Sequence, residues 1–208
     1  MKKWWIFLLL PLTVKSQPVP EKLPLQAGDI IFQNLACGEL CQAILAVTPC
    51  REGKTFNHCG IVYFTGDTTY VIEAIGKAVV QTPLDSFLKR SNGKVSWARL
   101  KQEKKLAARA AQASLHYLGR PYDVAFLPGD SALYCSELVW ECFQDRQGKK
   151  IFSLQPMTFK APGTDSTFAG WKNYYQELGI PVPEGVPGIN PCGIANEPFL
   201  DFYTSGKE

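Results

Sequence analysis

No stretch of this 208-residue chain is long and apolar enough to cross a bilayer. The nearest, Trp4 to Val14, is broken by Pro11 and Thr13 and falls well short of the roughly 20 residues a spanning helix needs. With Met1-Lys2-Lys3 before it and Val14-Lys15-Ser16 after it, the run reads as a signal peptide over 1–16. Cleavage near Ser16–Gln17 then leaves an exported domain, periplasmic or secreted, over 17–208, with no transmembrane segment. No cysteine follows the run closely, which argues against a lipid anchor there. A lasting charge surplus is also missing. The 22 basic residues exceed the 19 acidic ones only through Lys2, Lys3 and Lys15 of the leader. The mature domain is therefore balanced and offers no basic face for a nucleic acid. Internal repeats and low-complexity tracts are absent. So are the paired C-x2-C knuckles of structural zinc sites, although Cys37, Cys41, Cys50, His58 and Cys59 lie near one another. The sequence implies neither a metal nor a cofactor. Histidine is scarce: His58 and His116 are the only two.

Cysteine is plentiful, with seven residues at 37, 41, 50, 59, 135, 142 and 192. In an exported protein this number suggests disulfides, and an odd count leaves at least one thiol free if the others bridge internally. Cys135 is expected to stay free. Cys37 and Cys41, if they share a helix, are awkwardly placed for a direct bridge.

Gly28-Asp29-Ile30-Ile31-Phe32 is a turn entering a buried strand, and Cys37 to Val47 is a short helix closed by Thr48-Pro49. Cys59 to Phe64 and Thr69 to Ile75 flank the turn-type sequence Thr65-Gly66-Asp67-Thr68 and form a hairpin. Further strands are expected at 78–81 and 95–100, with one helical turn between them at 85–88. Amphipathic helices are expected over 103–118 and 134–146, the second ended by Gly148. The proline-rich run 181–191 can form neither helix nor central strand. Trp171, Tyr174, Tyr175, Phe199, Phe202 and Tyr203 flank it, so an ordered loop pinned over the domain is expected rather than a tail. Strands segregated early, with helices around them and no strand–helix alternation, indicate an α+β fold.

Cys135 opens the last of these helices, where the helix dipole lowers a thiol pKa and free N–H groups can bind an oxyanion. A buried structural cysteine is the commoner case, and Cys142 fits that description better. His58, at the start of an apolar strand, can accept the thiol proton. His116 shares a polar helix face with Arg109 and Gln112 and reads as a solvated surface residue. An even-numbered hairpin loop pairs His58 near Ile75 and puts Glu73 on the same face, one diagonal step away, where it can orient the imidazole.

Leu118-Gly119-Arg120-Pro121-Tyr122 followed by Tyr134-Cys135-Ser136-Glu137-Leu138-Val139 resembles the nucleophile segment of NlpC-type papain-fold hydrolases. Gly28 to Phe32, His58 to Val62 and Val71 to Ala74 resemble their histidine and third-residue strands. Here the cysteine segment comes last, as in the circularly permuted, YiiX-like branch of papain-fold amidases. Glu137 departs from the glycine often found there in the ordinary family. The resemblance implies a circularly permuted papain-like fold with an antiparallel sheet packed on the cysteine helix. It also implies a Cys135–His58–Glu73 triad, and that Tyr122 borders the substrate cleft. Tyr134 is a second candidate for supporting substrate or oxyanion, and both tyrosines can equally be core residues. The expected activity is hydrolysis of an amide bond through an acyl-enzyme, with a cell-wall stem peptide as the first substrate. The permuted topology also resembles the lecithin-retinol acyltransferase group, so hydrolysis or transfer of a lipid acyl group stays open. A non-catalytic binding module on the same fold is a further alternative, favoured if Cys135 is disulfide-bonded.

Overall fold

The computed structural model describes residues 23–48, 50, 53–129 and 131–205. The leader and Pro49 lie outside the described residues. One antiparallel sheet organises the molecule: β1 (Ile30–Gln33), β2 (His58–Thr65), β3 (Thr68–Ile75), β4 (Ala78–Pro83), β5 (Ser96–Leu100) and β8 (Leu200–Thr204), in the order β4-β3-β2-β1-β5-β8. On one face pack α3 (Lys104–Ser114) and α4 (Cys135–Cys142), burying Phe32, Cys59, Ile61, Ile72, Leu138 and Val139. On the other, α2 (Leu84–Lys89) inserts Phe87 among Ile31, Val62, Val71 and Trp97. The alternating sides of β2 and β3 follow from the strand period of two, with both faces covered. α1 (Glu39–Val47) and α5 (Ala169–Leu178) pack on each other, and Trp171 Nε1 donates to the Ala43 carbonyl at 3.1 Å.

The β2–β3 hairpin closes over two residues, Gly66 and Asp67, with Thr65 opposite Thr68 and Ile61 opposite Ile72. The Asp29 carboxylate, buried at the head of β1, takes a fork from Arg99 of β5, with Nε and Nη2 at 2.8 and 2.7 Å. This pairing neutralises a charge that would otherwise be stranded in the core.

Three expectations need correction. Cys37 and Cys41 do form a disulfide, with Cα atoms 5.2 Å apart. The helix begins only at Glu39, and Gly38, with φ of 70°, turns Cys37 back toward Cys41 from outside it. A second disulfide joins Cys50 to Cys192, leaving Cys59, Cys135 and Cys142 free. The 134–146 helix stops at Cys142, because Asp145 Oδ1 gathers the N–H groups of Gln147 and Lys149 into a turn. The carboxyl-terminal region is ordered but is more than a loop. It supplies α5, the two-residue pairing of β6 (Gln155–Pro156) with β7 (Pro187–Gly188), the short α6 (Pro191–Ala195) and the edge strand β8. Pro191 is tolerated because it opens α6, where Asn190 caps the helix by accepting from the Gly193 N–H at 2.7 Å.

Gly28 fixes how closely the turn before β1 approaches α3. Its φ is +83°, and a Cβ there would lie 2.2 Å from the Ala107 carbonyl oxygen. Gly28→Ala therefore combines a left-handed penalty with a backbone collision. It is expected to cost about 3 kcal/mol and to lower Tm by roughly 6–12 °C. A thermal shift under about 2 °C would mean that the turn can swing away from α3 without loss.

Candidate active site

The Leu118-Gly119-Arg120-Pro121-Tyr122 segment runs along the outer edge of β4. The Gly119 N–H donates to the Val79 carbonyl and the Val79 N–H to the Arg120 carbonyl, at 2.9 and 2.8 Å. This pairing covers a sheet edge and delivers Tyr122 toward the start of α4. Asp123 then accepts from the N–H groups of Ala125 and Leu127, at 2.7 and 2.6 Å, and curls the loop so that Phe126 adopts φ of 56°. Before α4, the Glu137 carboxylate accepts from the N–H of Gly129 at 3.1 Å and of Tyr134 at 3.4 Å. Glu137, where the ordinary family often has glycine, thus ties the preceding loop to the first helical turn.

The structure brings Cys135, His58 and Glu73 together. Glu73 is fully buried, and its Oε2 lies 2.5 Å from His58 Nε2. Arg90, just past α2, reaches both oxygens of the same carboxylate through Nη2, at 2.6 and 2.8 Å. The hairpin register places Glu73 beside Gly60, where a Cβ would meet Val71 Cγ1 at 2.5 Å and Glu73 Cβ at 3.1 Å. Glycine is required there so that the carboxylate can lie back toward His58. His58 also interacts with the Cys135 thiol, which completes a chain Arg90–Glu73–His58–Cys135.

Charge follows this chain. Burial would depress the His58 pKa, but its hydrogen bonds with Cys135 and Glu73 and their negative charges push it up to about 9. Burial alone would raise Glu73, but the hydrogen bond and charge of His58, with help from Thr82 and Arg90, hold it below the usual carboxylate range. The Cys135 thiol is held well below its ordinary value, first by the hydrogen bond from the Cys59 thiol, and then, against burial, by His58 and the Cys59 N–H. Cys59 moves the opposite way, raised by burial and by its charged neighbour. Of the two adjacent sulfurs Cys135 is the more acidic, since it alone has both the helix amino end and the His58 ring beside it. This arrangement favours a thiolate–imidazolium pair.

A cavity of about 300 Å³ opens onto Cys135. Its walls are mostly apolar: Ile44 and Val47 of α1, Phe126, Met157 and Phe159, Trp171 of α5, and Ile189. Tyr122 and Tyr134 also line it. The Tyr134 hydroxyl accepts from the Ile189 N–H at 3.2 Å, and the Ser136 hydroxyl donates to the Ile189 carbonyl at 2.9 Å. The two neighbours of Cys135 thereby clamp the carboxyl-terminal segment across the helix start. His116 is exposed on the short 3-10 turn after α3, away from this constellation.

Residues 24–202 match the model of the permuted papain-like amidases, the YaeF/YiiX (C92) family. The chain belongs to that family. It is 31% identical to the uncharacterized protein YiiX of Escherichia coli K12 over 182 residues, 84% of each chain. The crystal structure of the metalloprotein YiiX from E. coli O157:H7 superposes with a TM-score of 0.71 at 28% identity, covering 88% of this chain and 97% of that one. The fold is thus the circularly permuted papain-like one. Among the described residues here, no group of three or more His, Cys, Asp and Glu is disposed to hold a metal ion.

Two members of the site were not singled out from the sequence. Arg90 follows a single helical turn and carries no local pattern. Cys59 was legible only as the residue after His58, since strand alternation turns it to the helix-covered face.

A low thiol pKa keeps the thiolate present as pH falls, and removing the imidazolium returns the pKa upward, so reactivity is then lost from the acid side first. Iodoacetamide is expected to modify Cys135 ahead of Cys59 and Cys142, at a rate nearly constant between about pH 6.5 and 8.5. An ordinary thiol slows roughly 50-fold over that interval, and His58→Asn should restore part of this slowing, with Cys59 still lowering the thiol pKa. A native profile with its midpoint near pH 8.5 would contradict the ion pair.

Proposed function

We propose that this amidase-family chain is a cysteine acyl hydrolase whose scissile amide carries an apolar acyl group. The observation that carries the reading is the apolar cavity ending at the Cys135 thiol. A carbonyl presented there by an acyl chain lying against Phe126, Met157 and Trp171 would meet the thiolate. The Cys135 thiolate attacks, the oxyanion is received by the N–H groups at the start of α4 with the hydroxyl of the cavity-lining Tyr122 as a further donor, and His58 protonates the departing amine. Water then gives its proton to His58 and resolves the acyl-enzyme. Glu73 holds the imidazole ring in line, and Arg90 keeps Glu73 ionised. An acceptor amine or alcohol in place of water would make the same site a transferase.

A cell-wall stem peptide is the second reading. The leader pattern at 1–16 favours it, and the two disulfides suit an oxidising compartment outside the cytoplasm. The polar and charged groups of such a peptide match a mostly apolar wall less well than an alkyl chain does.

Purified protein incubated with N-acyl amides of increasing chain length is expected to gain kcat/KM by up to about fourfold per methylene until the cavity is filled. The Cys135→Ala variant should be inactive and as stable as the native protein. Cysteine-dependent cleavage of muropeptides, with no rise along the acyl series, would reverse the ranking of the two substrates.

Tyr122→Phe separates a site role from packing, because it keeps the ring and removes the hydroxyl. It is expected to reduce kcat on the order of 10²-fold with Tm unchanged, as for loss of one oxyanion donor. An unaltered kcat would assign Tyr122 to the core alone.

A further inference from the structure

The three free cysteines differ in their surroundings. Cys142 lies seven residues along α4 from Cys135, buried near Glu141 and Lys150. Cys59 and Cys135 touch: the Cys59 thiol and the Cys59 N–H both hydrogen-bond the Cys135 sulfur. Cys59 is fully enclosed in the core between the sheet and α4, whereas Cys135 lines the apolar cavity. A thiol pair is thus built with one member facing the cavity and the other behind it.

We propose that Cys59 is a resolving thiol, and that a hydroperoxide entering the cavity converts the pair to a reversible Cys59–Cys135 disulfide. The proposal rests on the reading of Cys135 as a reactive thiolate. In the first step the Cys135 thiolate attacks one peroxide oxygen. A sulfur–oxygen bond forms, the oxygen–oxygen bond breaks, and the leaving alkoxide or hydroxide takes a proton to become an alcohol or water. In the second step the Cys59 sulfur attacks the sulfenic sulfur, the thiol proton and the departing hydroxide combine as water, and the disulfide closes. Two thiols supply the two electrons that reduce the peroxide. The order of events is set by access, because only Cys135 faces the cavity. The two neighbouring sulfurs then close to about 2.05 Å. Joining them takes the charge off Cys135 and draws its sulfur away from His58, so the site is silenced without damage. A small dithiol reverses the bond. Without Cys59, the sulfenic acid has no thiol partner beside it and proceeds to sulfinic and sulfonic acids, which a dithiol cannot reduce.

The test treats the native protein, with its two other disulfides intact, with graded cumene hydroperoxide, followed by alkylation and peptide mass spectrometry. The expected result is loss of two thiols together, a Cys59–Cys135 linked peptide, and complete recovery of Cys135 alkylation after dithiothreitol. In Cys59→Val, which keeps a core-sized apolar side chain, Cys135 loses the hydrogen bond that lowers its pKa most and should react more slowly, but should then gain two or three oxygens irreversibly, and Cys59→Ala serves if that variant does not fold. Conversion of native Cys135 to sulfinic acid without the linked peptide, while iodoacetamide still selects Cys135 in untreated protein, would overturn the resolving role alone. Absence of the linked peptide together with loss of that selectivity would overturn the thiolate reading as well.

Discussion

A carboxylate with no access to water is the constraint around which this molecule is arranged. Glu73 carries its charge in the middle of a covered sheet, and such a group is tolerated only when fully paired. Arg90 takes both oxygens from one side and His58 one from the other. Meeting that demand explains features that look unrelated in the sequence: a two-residue hairpin turn that sets the register, a glycine at position 60, and a short helix after β4 that brings an arginine back under the sheet. The same arrangement passes positive charge to the imidazole and negative charge to the thiol at the start of α4.

The far side of the site is built by the last third of the chain. The β6–β7 pair and the segment leading into α6 wall the cavity, and Cys192 anchors α6 to the loop before β2 through Cys50. Tyr134 and Ser136 hold Ile189 from either side of Cys135. The cavity wall and the Arg90–Glu73–His58–Cys135 chain are thus built by different parts of the fold. The first depends on loops and aromatic rings, the second on the sheet and two helix ends. Fold alone does not choose a substrate, so the chemistry of the cavity wall carries that part of the reading.

Local patterns revealed the sheet well. Alternation in 59–64 and 69–75, together with a Gly-Asp turn, was enough to put His58 and Glu73 on one face, and Cys135 stood out because it follows a turn and opens an apolar helix. What local patterns missed depends on contacts distant in sequence. Leu200 to Thr204 is a short run that becomes a strand only by pairing with β5. Arg90 is an ordinary surface residue until Glu73 lies beneath it. The 134–146 helix has adequate helix formers throughout and is cut short by Asp145, whose side chain offers the backbone a competing turn. The Cys37–Cys41 bridge escaped because one glycine with positive φ changes the geometry that spacing alone suggests.

The permuted order has a consequence for how the protein comes into being. The segment from β1 to β5, holding His58, Glu73 and Arg90, leaves the ribosome before α4 does, and β8 completes the sheet last. Until α4 docks, Cys135 is an ordinary thiol with a pKa near 8.5, mostly protonated and slow to react. Its acidity is conferred only when α4 docks against β2. The nascent chain therefore folds with this thiol not yet acidic, and a variant that loosens the docking would lose the acidity of Cys135 before it loses its secondary structure.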